Sequence, residues 1–359
     1  MKKLLIFHTG LAPYRVDFFN KFNDFFDMRI CFYRHSLYSN LEEKINFNPT
    51  YIEQKKGFFF WVKGIFQQLM SFKPEIVVCS EFNIATLIVV LFKYLTFKKY
   101  RILSIVDDSY NMVADGNQFS WKHVWATRLL MPFIDNVINV EPRVVDFFQK
   151  KYGKGIYMPI ISDDDIARQR LQRLLPISQQ YVNAYGLETK KVLLFVGRLV
   201  ALKNVAFVIK AFKKIKKTDC VFVIVGDGVE KTNLQKEAEG CSNIIFTGRL
   251  EGDDLYAWYN VAQVFTLSSW QEAFGAVTNE ALLGGCYALV SNLAGSNCLI
   301  EENVNGNIID PYDQDAYEIA LENAFKKVSP VTSPLRLRKN AMKESFHDCI
   351  ERLFSQMDE

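Results

Sequence analysis

The sequence lacks several features that mark specialised classes of protein. It has only four histidines (His8, His35, His123 and His347), and none has metal-ligand spacing to another. Its seven cysteines are odd in number, scattered and without a C-x-x-C pair. That pattern favours reduced thiols in a cytosolic protein over a disulfide framework or a zinc site. We therefore expect no metal and no other cofactor.

Long hydrophobic runs are also missing. The longest candidate, Ile84–Leu95, is interrupted by Lys93, so we expect no spanning helix. The opening Met1–Phe7 superficially resembles a signal peptide, but polar residues from His8 end it too early, and it is predicted to be a buried strand. The net charge of +3 is close to neutral for 359 residues, so bulk charge argues neither for nor against a nucleic-acid partner. We expect none.

What the sequence does contain is an alternation of short apolar runs and longer helical patterns. In the first half it predicts strands at Leu4–Phe7, Met28–Phe32, Ile76–Cys79, Ile102–Val106 and Val137–Val140. Between them it predicts helices at Arg15–Phe26, Phe59–Phe72, Ala85–Phe97, Trp121–Pro132 and Arg143–Tyr152. Strand–helix alternation indicates a parallel sheet covered on both faces.

The alternation restarts in the second half. Strands are predicted at Val192–Val196, Val221–Val225, Ile244–Phe246, Val264–Leu267, Tyr287–Ser291 and Gly306–Ile309, and helices at Val205–Ile215, Lys231–Glu239 and Leu255–Val261. The weakly patterned stretch Pro159–Tyr185 is interpreted as the connection. The fold class is therefore α/β, with doubly wound Rossmann-like domains at 1–165 and 166–335. Residues 336–359 form a helical segment that we expect to pack back toward the first domain. Ligands are expected at the carboxyl ends of the strands, where the two domains would face a cleft.

Four motifs follow strands of the second half. The first carries Gly197, Arg198 and Lys203, and the two cations would lie at the ligand edge of the sheet, where they can hold a diphosphate. Solvated surface cations would be equally ordinary at these positions. The second has the glycine-rich turn at Gly226, and the third is Thr247-Gly248-Arg249. Taken singly, these two are also typical of simple turns and strand–loop junctions.

The fourth motif runs from Glu272 to Glu280 and is the most informative. A loop carries Glu272, and a helix is predicted to begin near Gly275 and to stop at Gly284. Carboxylates on each side of a helix start can accept hydrogen bonds from vicinal hydroxyls, whereas an ordinary helix merely favours acids in its first turn. The ordinary interpretation leaves Phe274-Gly275 unexplained.

With all four motifs in order, roughly residues 190–310 resemble the retaining GT-B glycosyltransferases of family 4, which build bacterial capsule, lipopolysaccharide and glycolipid sugars. The resemblance implies that Arg198 and Lys203 grip the donor diphosphate and that Glu272 accepts from donor-sugar hydroxyls. Glu280 would hold the ribose hydroxyls. The implied remaining donor contacts are Gly10, Gly197, Gly226, the base-bordering Thr247, Gly248 and Arg249, and the backbone of Phe274, Gly275, Ala276 and Val277.

The first half matches that family less closely. The segment from His8 to Arg15, with Pro13-Tyr14-Arg15, looks like the opening of one branch of the family. Many members carry a histidine after the fourth strand, where this sequence has Asp107 and Asp108. The resulting acceptor-side candidates are His8, Tyr14, Arg15, Asp107 and Asp108, and His8 and Arg15 would equally fit structural roles.

The resemblance implies a metal-independent hexosyltransferase that moves a sugar from a UDP- or GDP-sugar to a saccharide or polyprenyl-linked acceptor. Two other functions stay open: a nucleotide-sugar-binding subunit without activity, and a sugar-nucleotide epimerase of the same architecture. Asp163 and Asp165 have the D-x-D spacing of a metal site, although carboxylates there more often cap a helix. The basic and aromatic segment Lys55–Phe66, with Lys98–Arg101, suggests peripheral docking on the inner membrane face as a hypothesis.

Overall fold

The computed structural model describes residues 1–36, 41–52, 57–115 and 121–358. These divide into two compact units: residues 1–160 together with 347–359, and residues 161–346. Each unit contains one sheet in which every pair of neighbouring strands is parallel.

The first sheet has the strand order β3-β2-β1-β4-β5-β6-β7. Its strands are β1 (Lys3–His8), β2 (Asp27–Phe32), β3 (Thr50–Tyr51), β4 (Ile76–Ser80), β5 (Arg101–Val106), β6 (Asn136–Asn139) and β7 (Ile156–Tyr157). Its helices are α1 (Val16–Phe25), α2 (Phe58–Phe72), α3 (Ile84–Leu95), α4 (Tyr110–Asp115), α5 (Trp121–Leu130) and α6 (Pro142–Tyr152). The order 3-2-1-4-5-6 is that of a doubly wound dinucleotide-binding domain.

The second sheet repeats that order as β10-β9-β8-β11-β12-β13. Its strands are β8 (Lys191–Val196), β9 (Cys220–Val225), β10 (Ile244–Gly248), β11 (Val264–Leu267), β12 (Tyr287–Ser291) and β13 (Gly306–Ile309). Its helices are α7 (Asp164–Arg173), α8 (Leu175–Ala184), α9 (Val205–Ile215), α10 (Lys231–Glu237), α11 (Gly252–Val261), α12 (Val277–Leu283) and α13 (Gln314–Lys327). The chain then returns to the first unit as α14 (Phe346–Asp358).

Burial explains why the apolar runs form strands. Every residue of β4 and of β9 is buried, as expected for strands with helices on both faces of a parallel sheet. Polar residues set the helix boundaries: Asn83 caps α3 by accepting from the amides of Ala85 and Thr86. Gly153 ends α6 in the left-handed conformation.

The segment that joins the two halves is more regular than its sequence pattern predicts. The weakly patterned stretch Pro159–Tyr185 contains α7 and α8, and from Ile161 onward it belongs to the second unit. Asp163 caps α7 by accepting from the amides of Asp165 and Ile166, which confirms the capping interpretation of this acidic cluster.

The predicted helical pattern at 335–357 is helical only from Phe346. The preceding residues are held in a non-helical path by Arg338, whose guanidinium donates to the carbonyls of Tyr259, Asn260 and Gly284 at 2.6–2.7 Å. A helix at this point would withdraw those donors from the carbonyls. The helix α14 itself packs on α1, with the ring of Phe354 centred 5.0 Å from that of Phe22.

Candidate active site

The central element of the second unit's site is the loop after β11, which carries Glu272. The Glu272 carboxylate forms an ion pair with Lys203, which ends a short 3₁₀ helix after β8. Both side chains keep partial solvent access, at 18% and 16% of their surface. The strands β8 and β11 are neighbours in the sheet, so their carboxyl ends bring these two residues together. The pairing places a cation and an anion side by side at the ligand edge.

Arg198 lies at the same edge, two residues after β8 ends. Its side chain is exposed, and within the described residues it forms no ion pair or hydrogen bond. A guanidinium in this state can bind an anionic ligand without first breaking an internal contact. The cation pair predicted from the sequence is therefore divided into a free arginine and a lysine already paired with an acid.

Gly226 is required by close packing of the loops after β8 and β9. A Cβ atom built on it would lie 1.9 Å from the carbonyl oxygen of Gly197, so any side chain would push these loops apart. The loop after β10 lies against the loop after β9, because the amide of Gly226 donates to the carbonyl of Gly248. Thr247 is half-buried beside it, whereas Arg249 is exposed and pairs with Glu251. Three of the predicted motifs are thus neighbours in space.

Gly275 sets the path from Glu272 into α12. Its φ is +94°, and a Cβ there would meet the Leu267 side chain at 2.6 Å and Cγ of Glu272 at 3.2 Å. Phe274 just before it is 2% exposed and anchors the loop in the core. The helix begins at Val277, after Ala276, two residues later than the sequence predicts. This glycine is the reason that Glu272 and the helix start can lie side by side.

Glu280 is held by two tyrosines that the sequence analysis did not identify. Tyr256 donates its hydroxyl to Oε1 at 3.0 Å, and Tyr259 donates to Oε2 at 2.6 Å. Arg170 lies 3.7 Å above the ring of Tyr256 and bonds to Asp253. Burial raises the pKa of Glu280, and the hydrogen bonds from both tyrosines oppose that rise. The spacing of Tyr256 and Tyr259 on α11, which places them on one face, was the available signal.

The acceptor-side candidates of the first unit form a different cluster. Arg15 is only 1% exposed and forms an ion pair with Asp107, while its guanidinium lies 5.0 Å from the ring centre of Phe18. Tyr14 is exposed, and Gly10 lies close to the carbonyl of Arg34. The structure thus brings Arg15 and Asp107 together, and it leaves Arg15 little surface for a ligand.

His8 is buried at the end of β1. Its Nδ1 donates to the carbonyl of Gly10 at 2.9 Å, and its ring lies edge-on to Phe19 at 5.4 Å. Burial, followed by the charge of Arg15, lowers the pKa of His8 to about 4. A neutral imidazole with its proton on Nδ1 is therefore part of the core at this edge of the first sheet.

This pKa shift predicts a loss of stability in acid. In the unfolded chain His8 binds a proton as the pH falls below about 6.5. In the folded chain it binds a proton only when the pH falls to about 4. We expect His8 to contribute roughly 2 kcal/mol to the fall in unfolding free energy between about pH 7 and about pH 4.5. His8→Asn keeps a donor for Gly10 without titrating. The free energies of unfolding of wild type and variant, measured in urea, should therefore converge as the pH falls. A constant difference between them across this pH range would contradict the assignment.

Asp108 extends the acidic edge beyond Asp107. Burial and the neighbouring charge of Asp107 raise the pKa of Asp108 to about 6. Glu81, which directly follows β4, faces the same group, and burial followed by the charge of Asp108 raises its pKa well above the ordinary value. Glu81 was not among the predicted site residues, because a lone acid after a strand carries no signal until the sheet order is known.

A cavity of about 370 Å³ opens on the same edge of the first sheet. It is lined by Thr9 after β1, by Asn83 after β4, and by Arg34 and the ring of Trp61. The lining combines one cation, hydroxyl and amide groups, and an aromatic face. Such a surface suits a polar ligand with an apolar side.

A comparison with known protein families finds a match within the second unit. Residues 178–344 match the family model of glycosyl transferases group 1. The match covers just under half of the chain, so the similarity concerns the second unit. The match covers every motif from Gly197 to Glu280, and the resemblance inferred from these motifs is confirmed.

Curated relatives match mainly in part of their length. A putative glycosyltransferase, YtcC, of Bacillus subtilis is 31% identical over 50% of this chain and 45% of its own. A GDP-mannose-dependent alpha-mannosyltransferase of Corynebacterium glutamicum is 35% identical over 34% of this chain and 29% of its own. The chain thus spans about half or less of the length of these relatives.

The fold is matched over the whole chain. The crystal structure of Anabaena HepE in complex with UDP has a TM-score of 0.77, covers 100% of both chains and is 15% identical. The predicted fold class, a GT-B architecture of two Rossmann-like domains whose C-terminal helix returns to the first, is confirmed. No helix among the described residues has the length and hydrophobicity to cross a membrane.

Proposed function

We propose that this protein transfers a hexose from a nucleoside diphosphate sugar to a saccharide or polyprenyl-linked saccharide, with retention of anomeric configuration, in the synthesis of surface polysaccharide. The observation that carries the proposal is the carboxyl edge of the second sheet, where Arg198 follows β8 and the Lys203–Glu272 pair joins the loops after β8 and β11. Glu280, held on both oxygens, completes this group. A binding-only subunit has no need of a paired lysine and acid beside an unpaired arginine.

In this proposal Arg198 and Lys203 bind the donor diphosphate. The bond between the anomeric carbon and the β-phosphate oxygen breaks, and the oxygen keeps the electron pair. The two cations stabilise that negative charge. The acceptor oxygen bonds to the anomeric carbon from the same face, and its proton passes to the leaving phosphate. Because the cations of the chain neutralise the diphosphate, donor binding would need no metal ion.

Donor recognition is assigned to the remaining residues of the second unit. Glu272 would accept hydrogen bonds from hydroxyls of the donor sugar, with the backbone of Phe274 to Val277 beside it. Glu280 would accept from the two ribose hydroxyls, and Thr247 to Arg249 would border the base. Both UDP and GDP are proposed as carriers, because HepE binds UDP and the corynebacterial relative uses GDP-mannose.

The acceptor is assigned to the first unit, at the cavity between Thr9 and Trp61. His8, Tyr14, Arg15, Asp107 and Asp108 were the sequence-based candidates for this role. The buried pairs formed by His8 and Arg15 make them supports of the site in the proposal. Asp108 and Tyr14 keep the surface that contact with an acceptor requires.

A direct test is incubation of the protein with a panel of UDP- and GDP-sugars, with and without glycan acceptors, followed by mass detection of products. Release of nucleoside diphosphate together with a glycosylated acceptor supports transfer. Isomerised sugar without acceptor would favour an epimerase instead, and binding without any product would favour a non-catalytic subunit. Isothermal titration of UDP and GDP with EDTA or with Mn²⁺ tests metal independence, since the proposal expects one affinity in both.

A polyprenyl-linked acceptor would bring the protein to a membrane surface, and the first unit carries an apolar face suited to that. α3 packs against both α2 and α5, so the three helices form one side of the unit. Exposed rings lie on the outer two, at Phe59 (75%), Phe60 (65%) and Trp125 (63%). Exposed cations among them include Lys63 and Lys122. Lys55 and Lys56 of the sequence-based segment lie outside the described residues.

We expect this face to bind anionic lipid vesicles peripherally. Phe60→Ala with Trp125→Ala should lower the vesicle partition coefficient at least tenfold, because a buried aromatic side chain contributes roughly 1.5–3 kcal/mol. Co-sedimentation with vesicles that contain or lack phosphatidylglycerol measures it. Ile319→Ala, an exposed apolar residue of the second unit, is the matched control. Absence of binding to either vesicle would contradict the docking proposal.

A further inference from the structure

Three metal-ligating side chains of the first unit converge although they are far apart in sequence. One carboxylate oxygen of Glu81, one of Asp108 and one ring nitrogen of His123 all lie within 4.8 Å of one another. Glu81 directly follows β4, Asp108 follows β5, and His123 lies in the first turn of α5. Because β4 and β5 are neighbouring parallel strands, the two acids lie at one sheet edge, and α5 supplies the third group.

Among the described residues, the cation whose charge acts on Glu81 is Arg15. Arg15, the cation of this edge, is paired with Asp107. Within the described residues neither Glu81 nor Asp108 forms a salt bridge. All three side chains are half-buried, so water screens the two carboxylates only in part. Two unpaired, partly desolvated carboxylates at this distance repel each other, and a bound cation removes that cost.

We propose that Glu81, Asp108 and His123 hold one divalent metal ion. Ligand atoms bonded to a common ion at about 2.0–2.2 Å lie roughly 3–4.4 Å apart, so the cluster needs only a small contraction to close around it. Two carboxylate oxygens and one imidazole nitrogen favour Mn²⁺ or Zn²⁺ over Ca²⁺, which takes oxygen ligands alone. The three side chains thus supply oxygen and nitrogen ligands and no thiolate.

The ion would have two consequences for the first unit. It would tie α5 to the edge formed by β4 and β5, because His123 reaches the acids from that helix. Three protein ligands also leave coordination positions open to water or to a ligand hydroxyl. The site lies in the first unit, whereas the donor groups lie in the second, so this inference does not rest on the proposed sugar transfer.

Equilibrium dialysis of the full chain against Mn²⁺, with bound ion read by electron paramagnetic resonance and no nucleotide present, tests the site. We expect one Mn²⁺ per chain, and Asp108→Asn and His123→Gln should each raise its Kd at least tenfold. Zn²⁺ is measured in parallel by metal analysis of the dialysed protein. Asp146→Asn removes an exposed carboxylate of the same unit and should bind as wild type does.

Circular dichroism and melting of the metal-free variants show whether they fold. His123 lies on a helix surface and is half-buried, so His123→Gln decides the matter if Asp108→Asn does not fold. Wild type that binds neither Mn²⁺ nor Zn²⁺ overturns the proposal, and would mean that the two acids share a proton instead. Binding that is equal in wild type and in a folded His123→Gln also overturns it.

Discussion

Replacement of Arg198 by alanine is expected to lower kcat for sugar transfer by about 100- to 1000-fold, as loss of one preorganised donor to a developing anion does in other enzymes. Arg198 is exposed and without an internal partner, so its removal breaks no contact of the fold. The loss should therefore fall on the departing diphosphate. Initial rates at saturating donor and acceptor measure it.

The matched control is Arg336→Ala. Arg336 is also exposed in the second unit and forms no ion pair within the described residues. It lies in the non-helical segment before α14, two residues from Arg338, whose guanidinium bonds to the carbonyls of Ala262 and Gly284 ahead of β11 and β12. Its variant should keep the wild-type rate. A fall of less than tenfold in Arg198→Ala, with the control intact, would remove Arg198 from leaving-group stabilisation.

Replacement of Glu280 by glutamine is expected to raise the Kd of a nucleoside diphosphate by about 10- to 100-fold, because a hydrogen bond to a charged group contributes roughly 1.5–3 kcal/mol. Tyr256 and Tyr259 donate to both carboxylate oxygens and hold them in place, and in the proposed role these oxygens accept from the ribose. An amide offers one acceptor oxygen where the carboxylate offers two, so one tyrosine can no longer donate its proton to this side chain. Isothermal titration with UDP and GDP measures the change.

Glu272→Gln provides the contrast to that variant. In the proposed roles Glu272 contacts the sugar and neither the ribose nor the base. The Kd of a nucleoside diphosphate should therefore rise by no more than about threefold, since the glutamine also releases Lys203 from its ion pair. The kcat should fall by the order expected for a lost transition-state contact. If both variants affected affinity and turnover alike, the division of roles between the two acids would be wrong.

The sequence predicts the layered fold well because the physical signal is local and repeated. Val264–Leu267 and Tyr287–Ser291 are strands as predicted, since a run buried on both faces has to be apolar throughout. The two-residue edge strands Thr50–Tyr51 and Ile156–Tyr157 were not predicted, because they are too short to show a pattern. The helices at 164–184 were missed because polar residues dominate α7.

The residues at the carboxyl edge of the second sheet could be predicted from motifs, whereas their partners could not. Glu280 follows from its spacing to Glu272, but the two tyrosines that hold it depend on how α11 packs against α12. Arg15 was predicted to lie near the ligand because it follows β1. In the structure it forms an ion pair with Asp107, which is 92 residues away in the sequence. Long-range pairing is set by tertiary packing, which a single sequence does not display.

The central claim is that the second unit binds a nucleoside diphosphate sugar. Thermal unfolding of the full chain with UDP, GDP, UDP-glucose and GDP-mannose tests it most directly, because a ligand specific for the folded state stabilises by about 2.7 kcal/mol at 100 times its Kd. The account predicts a higher melting temperature with at least one of the diphosphates and its sugar, and loss of the shift in Glu280→Gln. An unchanged melting temperature with all four at millimolar concentration would contradict it.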